Sequence, residues 1–336
     1  MFPATYATFQ QLYTSVLHEI ADAYEYTVAP RGNASREITD VTLRLRNPRS
    51  RLAFLKQRPV NIVFNVAEVL WYLAGRDGLD MIAYYAPRLR DYSPDGRRLA
   101  GTAYGPKLFA PDNDGSTQWA RVMDLLRRDA DTKRAVLTFF GPAELADAAN
   151  PDVSCSVSAQ FLLREGHLHL SVAMRGNDAY TGLVSDVFAF TFLQEFAAAQ
   201  LGARLGHYTH HVVSMHVNDT DAHRMERIVD ADRNGSITEA AFTPAAMPTN
   251  ASWEDIATVL AQEEKLRANT AAHDPDSVTA LGLAPYWQHI VLLLEAYRQL
   301  HHSSAPVSPY LLAALDPAHR WLVEHRWPQR MPTGTR

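Results

Sequence analysis

The apolar segment DVFAFTFLQEFAAAQLGARLG, residues 186–206, restricts the folds open to this chain more than any other feature. Its length and closing glycines predict a long buried helix whose first turn carries Asp186. Apolar and polar residues alternate as in strands on both sides of it, in SAQFLLREGHLHLSVAMR at 158–175 and in HYTHHVVSMHVN at 207–218. Glu165-Gly166 interrupts the first of these segments and predicts a hairpin. Strands and helices thus mix without the regular alternation of a doubly wound sheet, which indicates an α+β fold.

Other segments show the apolar patterns of helices or of strands. The N-terminal stretch predicts a helix, and TLRLRNP at 42–48 predicts a strand. VNIVFNVAEVLWYLAG at 60–75 predicts a buried helix closed by Gly75, and RAVLTFF at 134–140 predicts a short strand.

Two parts of the chain differ in character. Residues 1–225 contain no internal repeat and no flexible linker, and they predict a continuous core. Residues 226–336 predict a helical extension packed on that core, with amphipathic helices at 251–272 and 285–302. A single continuous domain is the alternative.

Composition limits the classes of partner. Hydrophobic residues make up 47% of the chain, charged residues 21%, and the formal net charge is −5, which does not favour binding to bulk nucleic acid. No window reaches the roughly 18 uncharged apolar residues of a spanning helix. The first residues lack the basic flank and apolar run of a leader. We therefore expect a cytoplasmic protein that binds neither nucleic acid nor membrane.

The segment DADRNGSI matches the opening of a calcium loop, with its ligand-type residues at Asp230, Asp232 and Asn234. The twelfth position of such a loop should be a bidentate Glu, and here it is Ala241. Because the strongest ligand is missing, the segment predicts a turn stabilised by Asp and Asn side chains, and we expect no metal.

Cys155, in NPDVSCSVSAQF at 150–161, is the only cysteine in 336 residues. A single thiol forms neither an intramolecular disulfide nor a thiolate metal cluster. On composition alone it is either a small buried apolar residue or a nucleophile.

Six matches, in the order and spacing of one family, favour the interpretation of Cys155 as a nucleophile. Over residues 10–225 the chain resembles the thymidylate synthases. The matching positions are Cys155 with Gln160-Phe161, RGND at Arg175 to Asp178, Asp186, His216, AEVLWYLAG with Glu68, and GTAYGPKL with Tyr104. The resemblance implies a twisted mixed sheet with packed helices and a homodimer formed sheet to sheet. It also implies that Cys155 adds to C6 of a pyrimidine nucleotide, with Glu68 and Tyr104 serving proton transfers.

Positive residues match the family's phosphate ligands. Arg175 is expected to hold the 5′-phosphate and to favour the thiolate of Cys155 by its charge. By resemblance, Lys133 and Arg134 reach the phosphate of the partner subunit, with Lys replacing the family's first Arg. Arg31 is a candidate for a further phosphate ligand, and Arg36 is the alternative.

Asp186 departs from the family, whose synthases carry an Asn that reads uracil at this position. A carboxyl group accepts from the 4-amino group of cytosine and, if protonated, donates to N3. The same exchange marks the deoxycytidylate hydroxymethylases, so Asp186 and the backbone near Asp178 are expected to read cytosine. The alternative is that Asp186 only caps the following helix.

Other departures concern the one-carbon donor, which the resemblance implies is 5,10-methylenetetrahydrofolate. Arg90 stands at the family's folate-side tryptophan, Asp178 is a second candidate for the folate side, and the family's C-terminus is not recognisable. A charged residue favours a wetter pocket, in which water captures the methylene group and Glu68 positions that water. These departures indicate hydroxymethylation rather than methylation.

The sugar-binding positions favour a ribonucleotide. His216 matches the family, but Asn218 replaces a Tyr and Gly176 replaces a phosphate-side Ser, which leaves space for a 2′-hydroxyl. The pattern resembles the cytidylate hydroxymethylases of mildiomycin-type nucleoside antibiotic biosynthesis, so CMP is preferred to dCMP. The alternatives are a dCMP hydroxymethylase, a divergent thymidylate synthase, and a nucleotide-binding protein without catalysis.

Overall fold

One mixed sheet organises the molecule in the computed structural model, which describes residues 3–238 and 242–333. Its strands are β1 (Ala4–Tyr6), β2 (Tyr26–Val28), β3 (Ser35–Leu45), β4 (Val136–Thr138), β5 (Ser156–Arg164), β6 (His167–Met174), β7 (Asn177–Asp178) and β8 (Arg204–Asn218). They follow the order β1-β3-β8-β6-β5-β4, with β2 beside β3 and β7 beside β8. The pairs β1-β3, β6-β8 and β7-β8 are parallel and the other pairs are antiparallel. The predicted α+β fold with a mixed sheet is confirmed.

Helices cover the chain between and after the strands. They are α1 (Phe9–Ala23), α2 (Ile62–Leu73), α3 (Leu79–Tyr85), α4 (Tyr104–Phe109), α5 (Gln118–Arg128), α6 (Gly182–Leu201), α7 (Asp219–Arg233), α8 (Trp253–Arg267), α9 (Pro275–Thr279), α10 (Pro285–His302), α11 (Pro309–Ala314) and α12 (Pro317–Arg326). Short 3₁₀ turns lie at Pro30–Gly32, Pro87–Tyr92, Pro142–Leu145 and Pro328–Arg330.

The hairpin of β5 and β6 turns at the predicted dipeptide. Arg164 pairs with His167, so the turn has two residues, Glu165 with φ 50° and Gly166 with φ 74°. Two positive φ angles match the right-handed twist of the strands. This hairpin places the residue before β5 next to the residue after β6.

Helix α6 begins at Gly182, four residues earlier than its apolar pattern predicts. The carboxylate of Asp178 accepts hydrogen bonds from the N–H groups of Tyr180 (2.8 Å) and Thr181 (2.9 Å), the two residues just before the helix, and so fixes the turn that leads into it. Asp186 is therefore the fifth helical residue, and the prediction that it lies in the first turn or caps the helix is wrong. Gly202, with φ 60°, ends the helix in the left-handed conformation.

Helix α6 is also the only helix among the described residues that is long and apolar enough to cross a membrane. Of its 18-residue apolar window, 78% is buried inside the protein. Its apolar character is therefore explained by packing in the core.

The C-terminal helices pack on the rest of the chain. Tyr85 on α3 donates to Glu263 on α8 at 2.9 Å, and Tyr297 on α10 donates to the carbonyl of Tyr84 at 3.0 Å. Helix α7 runs across residue 225. The division at 225 and 226 stays a proposal.

The segment DADRNGSI is not a loop over its first four residues. Asp230 and Asp232 lie in the last turn of α7, and Asp232 is 2.9 Å from Nε2 of His18. The predicted turn is limited to the helix end, where Asn234 accepts from the N–H of Ser236 at 3.0 Å. Ala241, the position of the missing calcium ligand, lies outside the described residues.

Candidate active site

Cys155 lies immediately before β5, where it is open to solvent. The hairpin register brings Arg175 beside it, and the N–H of Arg175 donates to the carbonyl of Cys155 at 2.9 Å. The guanidinium donates to the carbonyls of Ser154 (2.8 Å) and Val153 (2.9 Å), and its Nη2 is 3.8 Å from the thiol sulfur. The predicted pairing of the thiol with a guanidinium twenty residues later is thus seen in the structure.

Burial raises the pKa of the Cys155 thiol, although one side of the residue is open. The positive charges of Arg175 and Arg31 act in the opposite direction, but burial outweighs them. Arg175 thus favours the thiolate by its charge, as expected, but the thiolate is not the resting form: the thiol is protonated at neutral pH, and a base must take its proton.

Asp152, which has 2% of its surface exposed, fixes the loop that carries Cys155. Its carboxylate accepts from the N–H groups of Ala100 (2.6 Å), Gly101 (2.8 Å) and Thr102 (2.8 Å). These three residues precede α4, so the acceptor joins the two loops that hold Cys155 and Tyr104. Sequence reasoning missed Asp152; its place in NPD before the cysteine is a turn signal, but its partners are about fifty residues away.

Gly101 allows this close approach of the two loops. A Cβ atom at Gly101 would lie 2.6 Å from the carbonyl carbon of Asp152 and 2.8 Å from that of Val153. We expect Gly101→Ala to lower the free energy of unfolding by about 1–3 kcal/mol, because backbone rather than a flexible side chain must move.

Gly141→Ala is the matched control, because a Cβ there meets nothing within 4 Å. Urea denaturation of both variants tests the prediction. Equal stability of Gly101→Ala and Gly141→Ala would contradict it.

A second set of polar contacts holds Ser154, the residue before the cysteine. Its N–H donates to Glu144 at 2.7 Å, and Lys107 donates to the same carboxylate at 2.8 Å and to the carbonyl of Phe139 at 2.9 Å. The cysteine loop is thus attached to the structure at Asp152 and at Ser154.

Tyr104, the first residue of α4, reaches the residue after the cysteine. Its hydroxyl oxygen accepts from the N–H of Ser156 at 3.1 Å. The ring lies against Tyr72 and Phe139, with centroid distances of 5.2 and 4.8 Å. Burial, with smaller contributions from Asp186 and Cys155, raises the pKa of this phenol well above its usual value, so Tyr104 remains a neutral hydrogen-bond donor.

Glu68 lies on α2 with 7% of its surface exposed. Burial and the nearby Asp186 raise the pKa of Glu68 to about 8, against the effect of a hydrogen bond with Tyr72. The carboxyl group is therefore mostly protonated at neutral pH. Such a group can both donate and accept a proton near pH 7.

Asp186 projects from α6 toward the same groups, since its charge affects the pKa values of Glu68, Tyr104 and Cys155. Burial of its carboxyl group raises the pKa to about 7, and a hydrogen bond from Asn177 partly opposes this. Nδ2 of Asn177 is 2.7 Å from Oδ2 of Asp186. Sequence reasoning gave Asn177 no role, although it lies inside the RGND motif.

The predicted sugar-binding residues lie where β7 and β8 end. Asp178 pairs with His216 across these strands, and the amide of Asn218 donates to Oδ2 of Asp178 at 2.7 Å. His216 is partly buried, with Nδ1 3.4 Å from the carbonyl of Ser214. A Cβ at Gly176 would lie 3.6 Å from the carbonyl oxygen of Ser214, so a small side chain is accommodated there.

The two candidates for the further phosphate ligand, Arg31 and Arg36, contact different parts of the protein. Arg31, in the turn Pro30–Gly32, donates to the carbonyl of Pro151 at 3.1 Å, and its charge acts on Cys155. Arg36 forms an ion pair with Glu226 at 3.1 Å. The geometry therefore favours Arg31.

The remaining predicted residues lie apart from the thiol. Lys133 and Arg134 are exposed just before β4, and neither forms an ion pair with any residue that the structure describes. Gln160 does not reach Cys155 but donates to the carbonyl of Lys133 at 2.6 Å. Arg90 is exposed in the turn Pro87–Tyr92.

Several known proteins resemble this chain in sequence or in fold. The family model described as thymidylate synthase matches residues 9–250. The deoxyuridylate hydroxymethyltransferase of Bacillus phage SP01 is 33% identical over 219 residues, which are 62% of this chain and 56% of that protein. The protein of the same description from Delftia phage PhiW-14 is 31% identical over 226 residues, 64% of this chain and 60% of that protein. The chain thus spans less than two thirds of these relatives' length.

A solved structure, the thermostable thymidylate synthase A from Bacillus subtilis, matches with a TM-score of 0.55. The match covers 67% of this chain and 84% of that chain at 21% identity, which supports the fold.

Proposed function

The chain belongs to the thymidylate synthase family, and from this premise we propose that it hydroxymethylates C5 of CMP. The one-carbon unit comes from 5,10-methylenetetrahydrofolate, which acts as cosubstrate. The products are 5-hydroxymethyl-CMP and tetrahydrofolate, and the reaction needs no metal.

The observation that carries this proposal is the position of the Asp186 carboxyl group near Glu68, Tyr104 and Cys155, where Asn177 donates to Oδ2 at 2.7 Å and burial raises the pKa to about 7. A protonated carboxyl donates to N3 of cytosine and accepts from its 4-amino group. Uracil offers an N3–H donor and a 4-oxygen acceptor instead, so it would need the proton on the other carboxyl oxygen, and an ionised carboxylate would repel its 4-oxygen. A carboxyl group that carries its proton on the oxygen facing N3 therefore suits cytosine.

Catalysis begins at Cys155. Once its proton is removed, the thiolate forms a bond to C6, and the electron pair of the C5–C6 double bond makes C5 nucleophilic. C5 then takes the one-carbon unit and loses its proton, and the sulfur leaves after hydration of the new methylene group. Glu68 and Tyr104 lie where they can move these protons, and Glu68 can hold the attacking water.

Phosphate binding is assigned to the positive residues of the site. Arg175 and Arg31 act from the same chain, and both already lie close to Cys155. We assign Lys133 and Arg134 to the phosphate of a partner subunit in a homodimer formed sheet to sheet. Their exposure and their lack of ion pairs in the described part of the chain support this assignment.

The description of the phage relatives as hydroxymethyltransferases supports water capture over reduction. The same phage relatives act on deoxyuridylate by their descriptions, so hydroxymethylation of a uracil nucleotide is the second candidate function.

Tritium release from [5-³H]CMP, [5-³H]dCMP, [5-³H]UMP and [5-³H]dUMP, each with and without the folate, tests the proposal. We expect the highest kcat/KM with CMP and no dihydrofolate in the products. Preference for dCMP would identify a deoxycytidylate enzyme, and preference for UMP or dUMP would favour the second candidate. Release from none of them would favour a nucleotide-binding protein, and dihydrofolate formation would identify a synthase.

Binding should depend on pH through Asp186. Because CMP needs the protonated carboxyl, its affinity for the parent protein relative to the Asp186→Asn variant, whose amide does not titrate, should be constant below about pH 6 and should fall roughly tenfold per pH unit well above pH 7. The ratio of the CMP dissociation constants of the two proteins, measured by calorimetry, cancels titration of the phosphate. A ratio that is flat between pH 5 and pH 9 would contradict the assigned role.

A further inference from the structure

Asn177 lies directly behind Asp186, and the chemistry above does not use it. Its side chain has 3% of its surface exposed, and its backbone is fixed by the pairing of β7 with Met215 on β8. Nδ2 donates to Oδ2 of Asp186 at 2.7 Å and lies 3.0 Å from the sulfur of Met174. Turning the amide around would place its oxygen against these two acceptors, so the nitrogen faces Asp186.

This hydrogen bond makes the two oxygens of Asp186 different. A protonated carboxyl group can carry its proton on either oxygen, but Oδ2 already accepts from Asn177, and a hydroxyl oxygen is a weaker acceptor than a carbonyl oxygen. Resting on the function proposed above, we propose that Asn177 is a positioning residue that keeps Oδ2 the acceptor and Oδ1 the donor of Asp186. Oδ1–H then meets N3 of cytosine, and Oδ2 meets the 4-amino group.

Uracil requires the opposite arrangement. Its N3–H needs an acceptor at Oδ1, and its 4-oxygen needs a donor at Oδ2. A proton on Oδ2 weakens the bond from Asn177, so uracil binding costs part of a buried hydrogen bond. Asn177 thus contributes to base selection without touching the base.

The groups around Asp186 indicate that Asn177 performs this role. The titratable groups whose pKa values respond to Asp186 are Glu68, Tyr72, Tyr104, Cys155 and Tyr208, which lie on or beside α2, α4, β5 and β8. None of them is a cation. Within residues 3–238 and 242–333, Asn177 is the only side chain that donates a hydrogen bond to this carboxyl group.

The test compares Asn177→Leu with the matched control Met174→Leu. Asn177→Leu removes the hydrogen-bond donor and keeps a side chain of similar size. Met174→Leu keeps that donor and changes only the sulfur-containing side chain beside the amide. Dissociation constants of CMP and UMP are measured for both variants and the parent from pH 5 to pH 9. A ratio of two constants on one protein does not depend on the folded fraction, and Asn177→Ala serves if the Leu variant does not fold.

We expect Asn177→Leu to reduce the preference for CMP over UMP about tenfold, the equivalent of one buried hydrogen bond to a charged or polar partner. Loss of the donor also removes a stabiliser of the ionised carboxyl, so the pH above which CMP affinity falls should rise by about one unit. Met174→Leu should change the preference for CMP by less than twofold and should leave the pH above which CMP affinity falls unchanged. If Asn177→Leu leaves both the preference for CMP over UMP and the pH above which CMP affinity falls unchanged, the inference is overturned and the proposed function is left intact. A parent protein without CMP preference would overturn the function itself.

Discussion

Cys155→Ser should abolish tritium release from [5-³H]CMP, with kcat falling by at least about 10³-fold, while CMP still binds. A hydroxyl group ionises far less readily than a thiol, so the attack on C6 loses its nucleophile. The phosphate and base contacts assigned to Arg175 and Asp186 do not involve the sulfur. The dissociation constant of CMP should therefore change by no more than about threefold, because little binding energy is lost.

Ser156→Ala is the matched control for this experiment. Ser156 lies next to the nucleophile, and its hydroxyl has no partner in the part of the chain that the structure describes. It should retain most of the activity, because its N–H still donates to Tyr104. Substantial release by Cys155→Ser would show that another residue attacks the base. Absence of release in the parent as well would favour the non-catalytic reading.

Asp186→Asn should move the base preference from cytosine toward uracil by about tenfold or more. An amide carries a donor and an acceptor at every pH and can be turned to suit either base. Oδ1 of Asn177, which is buried without a partner, can accept from the new amide when Asn177 turns as well. The variant therefore removes the penalty on uracil that the carboxyl group imposes.

The same variant should lose its pH dependence, because the titrating group is gone. The dissociation constants of CMP and UMP, measured by calorimetry for the variant and the parent at pH 6 and pH 9, check both expectations. Their ratio on one protein gives the base preference, and the ratio of the parent to the variant for CMP gives the pH dependence. Ser185→Ala is the control on the same helix; its hydroxyl donates to Asn65 at 3.1 Å and does not contact Asp186. If Asp186→Asn retains the parent's cytosine preference and pH profile, Asp186 does not read the base.

Much of the local structure follows from periodicity. The pattern at 60–75 predicts α2, which forms at Ile62–Leu73, and the hairpin turns at Glu165-Gly166 as expected. Such elements depend on neighbours within a few residues. The earlier start of α6 has no apolar signal, because the turn before it is fixed by Asp178, which accepts from the N–H groups of Tyr180 and Thr181.

The periodicities of the sequence by themselves predicted an α+β protein, and its resemblance to a known family placed Cys155, Arg175, Glu68, Tyr104 and Asp186 in the candidate site. Their protonation was decided only by the tertiary structure. The pKa values of Glu68 and Asp186 are raised because burial removes water from carboxyl groups that α2 and α6 bring together, although they lie far apart in the chain. The same holds for the contacts of Asp152 with Gly101 and of Arg31 with Pro151, since a hydrogen bond between distant residues has no periodic signal in the sequence.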